Sequence, residues 1–271
     1  VHEVSEKSAD LNPGVNPGQR QRADTGGSNH RLERNIRLTI EFDGTAYAGW
    51  QIQPNCQTVQ GMLTAAVEAV LGTKVVVHGC SRTDAGVSAR NYVANFRCPV
   101  KMPVERIPPA LNYHLPDDIF VKAAEVVADD FHARYSARGK VYSYYIVCGR
   151  SPLRRRFAWE YTGRIDIGRL KDCGQLFLGA SDFSRFCYDR SGSGWCTVRS
   201  ITVRQHCDEL IITVRGDRFL YKMVRRIVGA LVAYASGRIT KKDIRAALNG
   251  KKHRPFVTAP ACGLILERVI Y

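Results

Sequence analysis

The run Gly79-Cys-Ser-Arg-Thr-Asp-Ala-Gly-Val87 holds the side chains best suited to chemistry in this chain of 271 residues. It follows a predicted strand, Lys74–His78, so it falls on a loop at a sheet end. Arg82 and Asp84 stand two apart, and in extended backbone they point to the same side. A carboxylate beside a guanidinium stays ionised and oriented, and such a carboxylate can act as a nucleophile or a base. The same residues also suit an Asx-turn before Gly86 with Arg82 as a surface partner. Tyr142 lies on a predicted strand just after Arg138 and Lys140. An aromatic face flanked by cations can stack an unpaired base, and it can equally be a core or hairpin tyrosine. Two basic clusters complete the set: Arg150, Arg154, Arg155 and Arg156 in one loop, and Arg238, Lys241, Lys242, Arg245, Lys251, Lys252 and Arg254 after a strong helix. Such groups neutralise phosphates, or form a solvated face.

The elements that must position these residues follow from periodicity. Ile36–Phe42 alternates as a strand, and a Gly-bearing loop runs from Asp43 to Gln53. Val59–Leu71 repeats at helical spacing, with Thr58 as N-cap and Gly72 as stop. Arg90–Cys98 and Ile119–Val127 read as strands, with a short helix over Val104–Leu111 between them. The rhythm then repeats: strand Val141–Val147, helix Ile167–Leu178, a hairpin of Val198–Gln205 and Leu210–Arg215, and an amphipathic helix from Leu220 to Gly237. Helix Thr240–Leu248 and strand Gly263–Tyr271 close the chain. This alternation predicts two α+β subdomains, each a sheet with helices on one face. Their expected extents are 36–138, carrying the candidate loop, and 139–271, with the final strand free to return to a shared sheet. Residues 1–35, rich in Gly, Asn, Pro, Gln and charge, are expected to be a disordered leader.

Charge narrows the partner. The chain carries 40 Lys+Arg against 25 Asp+Glu, a net +15 with pI near 9.6. Residues 1–35 hold five of each sign, so the whole excess lies from residue 36 onward. A folded unit with that field favours a polyanion, nucleic acid being the commonest, or uses its basic surface for solubility. The nine cysteines are scattered with no C-x-x-C pair, which argues against a zinc site and for free thiols in a reducing compartment. Ile227–Gly237, the most apolar stretch, is too short to span a membrane, and no secretory signal is visible. The opening Val in place of Met is consistent with a fragment. Phosphate-loop, dinucleotide, zinc-hydrolase and nucleophile-elbow signatures are all absent.

The run Ser81-Arg-Thr-Asp-Ala-Gly-Val87 resembles the hallmark of the TruA-type tRNA pseudouridine synthases. Phe42-Asp-Gly-Thr-Ala-Tyr-Ala-Gly-Trp-Gln51, Thr58-Val-Gln-Gly61 and Phe131–Tyr142 are similar to further stretches of that family. So are Asp182-Phe-Ser-Arg-Phe186, Phe219–Gly229 and Ala259–Leu266. The matches occur in order from about residue 36 to 271. Ser88 stands where many bacterial members have His, and Asn91-Tyr92 where they have Gly-Gln; these positions border the expected cleft.

The resemblance implies an α+β pseudouridine synthase fold with a cleft between its halves. It implies an isomerase that converts uridine to pseudouridine in the anticodon arm of tRNA, at nucleotides 38–40, in the cytoplasm, as a homodimer, with no cofactor or metal and no membrane partner. Residue by residue, Asp84 matches the catalytic aspartate, Tyr142 the tyrosine that contacts the target base, and Arg225 the arginine that pairs with the carboxylate. Arg82 matches an arginine associated with base flipping. Whether the carboxylate attacks C1′ or takes a proton from C2′ stays open. Other tRNA sites or other RNAs remain an alternative substrate, and a non-catalytic RNA-binding protein an alternative class, although phosphate binding alone does not need a carboxylate at Asp84.

Overall fold

The computed structural model describes residues 33–99, 102–188 and 193–271. The expected leader, apart from its last three residues, lies outside them. Strand β1 (Arg34–Phe42) buries Ile36, Leu38, Ile40 and Phe42 on one face and leaves Arg37, Thr39 and Glu41 partly or fully exposed. It begins two residues before the alternation predicts, because buried Asn35 donates its side-chain amide to the carbonyls of Ala128 (3.0 Å) and Phe131 (2.8 Å). Helix α1 (Val59–Leu71) is capped by the Thr58 hydroxyl, which accepts from Gly61 N–H, and closes on Gly72 at φ +66°.

The strand expected over Lys74–His78 shrinks to β2 (His78–Gly79). The residues before it are held to α1 instead: Lys74 Nζ and Val75 N–H both reach the Glu68 carboxylate, at 2.9 and 3.3 Å. Then come β3 (Ser88–Cys98), α2 (Ile107–His114), β4 (Ile119–Val127) and β5 (Gly139–Cys148). Two short strands, β6 (Trp159–Tyr161) and β7 (Gly179–Asp182), carry no local signal, and exist only because longer neighbours template them. Between them lies α3 (Ile167–Gly174), which ends earlier than expected and tightens into a 3₁₀ turn that buries Phe177. The hairpin β8 (Trp195–His206) and β9 (Glu209–Gly216), helices α4 (Met223–Ala235) and α5 (Lys241–Leu248), and strand β10 (Leu264–Ile270) complete the fold.

Among the described residues, ten strands join in one mostly antiparallel sheet, ordered β4-β1-β3-β10-β5-β9-β8-β7, with β2 on β3 and β6 on β5. The chain is therefore α+β, as the alternation of elements predicts. Register lines up the buried side chains: Ile40 opposite Tyr92, Leu38 opposite Ala94, Tyr142 opposite Val214 and Ile146 opposite Leu210. One strand joins the β4-β1-β3 and β5-β9-β8-β7 runs of the sheet. β10 pairs parallel to β3, with Leu266 opposite Ala89, and antiparallel to β5, with Leu266 opposite Tyr142. The end of the chain thus lies between the strand that follows the Arg82–Asp84 loop and the strand that carries Tyr142.

Leu266 is fully buried at that junction. Leu266→Ala is expected to destabilise the fold by about 2–5 kcal/mol, read as a shifted urea midpoint. Burial also pushes the Cys80 thiol up to about 11, so it stays protonated at neutral pH. A disulfide-exchange reagent at pH 8 should label exposed Cys56 and Cys207 and leave Cys80 unlabelled until the protein unfolds.

Candidate active site

Two loops zip together to form the site. Trp50 N–H donates to Thr83 O (3.3 Å), Gly86 N–H to Tyr47 O (3.3 Å), and Gly44 N–H to Ser88 Oγ (3.0 Å). The loop containing Asp84 also turns on itself, Val87 N–H donating to Asp84 O at 3.1 Å. The glycines of the first loop are dictated by this contact. Gly49 sits at φ +92°, and a Cβ there would lie 2.3 Å from Thr83 O; one on Gly44 would lie 2.0 Å from Val87 O. Tyr47 is buried beneath them and donates its hydroxyl to Asp118.

From below, the loop is held by Tyr92, which is fully buried, stacks on Trp50 at 4.2 Å and donates its hydroxyl to Ser81 O. In the sequence Tyr92 and Ser88 stand out only as departures from the bacterial pattern, expected at the cleft border; in the fold both are buried and brace the loop. Trp50 and Tyr47 lie within a stretch similar to the family's, where the residues alone suggest no role for them. No local pattern signals these contacts, because each partner lies on a different element.

Asp84 is held by a single arginine. Arg225 Nη1 donates to Asp84 Oδ2 at 2.6 Å, with the two side chains 13% and 11% exposed. Arg225 comes from the first turn of α4, and its Nε donates to Ala259 O (2.8 Å) while Ala259 N–H returns to Arg225 O (3.1 Å). The segment around Ala259 presses so closely on α4 that a Cβ on Gly229 would lie 1.8 Å from Val257 O. Pro260 O accepts from the Tyr144 hydroxyl (2.8 Å), which ties the same segment to β5. A shielded charge pair of this kind is favourable only when geometry and further hydrogen bonds compensate its lost hydration. Both are present here.

Tyr142 projects from β5 toward this pair and packs edge-on against Phe219, with centroids 5.4 Å apart at 86°. Burial pushes its phenol well above the ordinary tyrosine range; hydrogen bonding with Ser81 works against this, while Cys80 and the Asp84 charge add to it. The ring is therefore neutral at physiological pH. Lys140, two residues earlier on the same side, is buried and its pKa is lowered, chiefly by burial. Arg138 is exposed.

Arg82 stands exposed and makes no pair with Asp84. Spacing alone would allow Arg82 beside the carboxylate, while the resemblance expects Arg225 there; it is Arg225 that occupies that place. The structure therefore gathers Asp84, Arg225 and Tyr142 and leaves Arg82 at the loop surface.

The basic clusters are partly consumed by internal pairs. Arg156 reaches Asp43 (2.5 Å), Arg154 reaches Glu209, and Lys241 reaches Asp172 (2.5 Å). Arg150, Arg155, Lys242, Lys251 and Lys252 stay exposed. Among the described residues, no three His, Cys, Asp or Glu side chains gather so as to hold a metal ion, and no helix is long and apolar enough to cross a membrane.

A mostly antiparallel α+β sheet with one arginine-clamped carboxylate above its central strands fits the class of uridine-isomerising enzymes that the motifs resemble. The family model described as tRNA pseudouridine synthase matches residues 38–136 and 174–271. The tRNA pseudouridine synthase A of Thermoanaerobacter sp. (strain X514) is 40% identical over 245 residues, spanning 88% of this chain and 100% of its own. That of Acetivibrio thermocellus is 42% identical over 244 residues, with the same coverage. The archaeal box H/ACA sRNP Nop10-Cbf5 complex gives a TM-score of 0.33 at 12% identity, over 73% of this chain and 44% of that one. On the sequence matches, the chain belongs to the tRNA pseudouridine synthase family and is an isomerase.

Gly49→Ala is expected to push the Asp84 loop away as well as strain the backbone, whereas a Cβ at Gly72, also at positive φ, meets nothing within 4 Å. Both variants should lose about 1–3 kcal/mol from the left-handed conformation, measured by urea denaturation. Gly49→Ala should lose more than Gly72→Ala, and it alone should lose activity.

Proposed function

We propose that the protein isomerises uridine to pseudouridine in the anticodon arm of tRNA, at nucleotides 38–40, with Asp84 meeting the ribose of an extruded nucleoside. The observation that carries this reading is the 2.6 Å clamp of Arg225 on Asp84 Oδ2. Among the described residues no hydrogen bond occupies the other carboxylate oxygen, which is left to face a substrate. Two routes use it. As a nucleophile it bonds to C1′ while N1–C1′ breaks, the uracil turns, and C5 bonds to C1′ as the carboxylate leaves. As a base it takes the C2′ proton while N1–C1′ breaks, and returns it once C5 has bonded to C1′. Either route ends with the C5 proton lost and N1 protonated. No electrons are gained or lost, so the reading asks for no redox cofactor.

The other residues take the remaining roles. The target uridine must leave its stack, which costs a few kcal/mol. In this reading Arg82, standing free at the loop surface, takes part in the extrusion. Tyr142, neutral and anchored by Phe219, contacts the extruded base. We read the halves 36–138 and 139–271 as the two walls of the cleft, residues 1–35 as a leader, and the working form as a cytoplasmic homodimer. Ser88 and Tyr92, expected at the cleft border, are buried braces of the loop instead; with Asn91 they still depart from the pattern of many bacterial members, which keeps other tRNA sites as a second reading.

Incubation with unmodified tRNA and chemical mapping of pseudouridine tests both. Product at nucleotides 38–40 is expected, with Asp84→Asn lowering the rate at least about 10²-fold. Undiminished product with Asp84→Asn rejects the assignment of Asp84, and product elsewhere rejects the anticodon-arm site. RNA affinity should fall steeply with salt, since exposed Lys and Arg displace counterions from phosphates. An affinity indifferent to salt contradicts an electropositive binding face.

A further inference from the structure

Two large exposed aromatic side chains have no part in the site so far. Tyr188 and Tyr221 are 68% and 47% exposed. Single exposed aromatics are ordinary, but these two form a unit. Their ring centroids lie 6.0 Å apart at 84°, and Tyr188 N–H donates to Tyr221 O at 3.3 Å. Lys222 places its ammonium 4.2 Å from the Tyr188 centroid and 4.8 Å from that of Tyr221. Lys222 itself sits at φ +60°, a conformation unfavourable for a residue with a Cβ. Just before Tyr188 in the chain, Phe183 and Phe186 are fully buried.

Position gives this unit its meaning. Lys222 is the N-cap of α4, and Arg225 lies in the first turn of the same helix. The chain leading into the helix that holds the partner of Asp84 therefore carries one exposed ring and a cation, Tyr221 and Lys222, and the second ring, Tyr188, is bonded to it. A nucleotide offers the complementary chemistry: a π-face for an aromatic ring and a phosphate for an ammonium. The chain's net charge of +15 favours such a partner over a protein surface of mixed sign. Resting on the reading of an RNA substrate, we infer that Tyr188, Tyr221 and Lys222 form a subsite that stacks one unpaired base flanking the target uridine and contacts its phosphate through Lys222.

Single-turnover kinetics on unmodified tRNA test the subsite. Tyr188→Leu or Tyr221→Leu should raise the half-saturating RNA concentration about tenfold, leave the saturating rate within about twofold, and leave the thermal midpoint unmoved. Tyr→Phe at either position should behave as wild type, because the ring remains. Lys222→Met should weaken binding and reduce the salt slope by about one. In a second experiment, wild-type protein meets tRNAs with abasic sugars placed in turn at each unpaired nucleotide flanking the target. One position should lose about tenfold in affinity, and that loss should vanish in the Leu variants. Leu variants that match wild type, or a scan in which no position matters, overturn the subsite. If the Leu variants fail to fold, the scan on wild-type protein decides alone. A wild type that makes no pseudouridine instead overturns the functional reading, and the same titrations read as RNA binding still judge the subsite.

Discussion

The structure depends on keeping one carboxylate and one guanidinium together with most of their water removed. Asp84 and Arg225 are 141 positions apart in the chain and 2.6 Å apart in space. Such a pair, left to itself, gains little over its two hydrated ions. It persists because everything around it is fixed. Arg225 is spent on both sides, with Nη1 on Asp84 and Nε on Ala259 O. Ala259 is held in turn by its own N–H bond to Arg225 O, and Pro260 by Tyr144. The guanidinium has little freedom left to lose when it meets the carboxylate, so the entropy that weakens most surface pairs has been lost already on folding.

The glycines and aromatics of the motifs make sense as consequences of that requirement. A loop that presents a carboxylate at a sheet end must be braced without covering it. The bracing is backbone on backbone, between Tyr47–Trp50 and Thr83–Gly86, and only glycine permits the approach at residues 44 and 49. Beneath, Tyr92 and Trp50 form a stacked floor, and the Tyr92 hydroxyl supports the loop through Ser81 O. A third strand of the same logic is β10, which couples the loop-bearing half to the strand of Tyr142 through parallel and antiparallel ladders at once.

The basic surface works at a longer range. Several of its arginines and lysines are engaged with acids of the same chain, Arg156 with Asp43 among them. Such exposed pairs add little stability, but they orient the loop of residues 150–157 beside the first motif. The charges that remain unpaired contribute to the field that draws a polyanion, which acts over about a Debye length and needs no precise contact.

Much of this was legible in the residues. Alternation in Ile36–Phe42 and Ile119–Val127, the Thr58 cap and the amphipathic run of α4 are local signals, and each set its element to within a few residues. β6 and β7 were not legible, because three- and four-residue strands take their conformation from a partner elsewhere in the sheet. The Lys74–His78 segment has strand-like residues yet is mostly claimed by Glu68. By itself the sequence determined the α+β class, the charge, and the residue types needed for a carboxylate site. Only the tertiary structure decided that Arg225 is tied to Ala259 O as well as to Asp84, that Tyr92 supports the loop, and that the last strand lies between β3 and β5. Spacing along the chain constrains neighbours within a turn or a strand, whereas partners far apart in sequence are chosen by packing and sheet order.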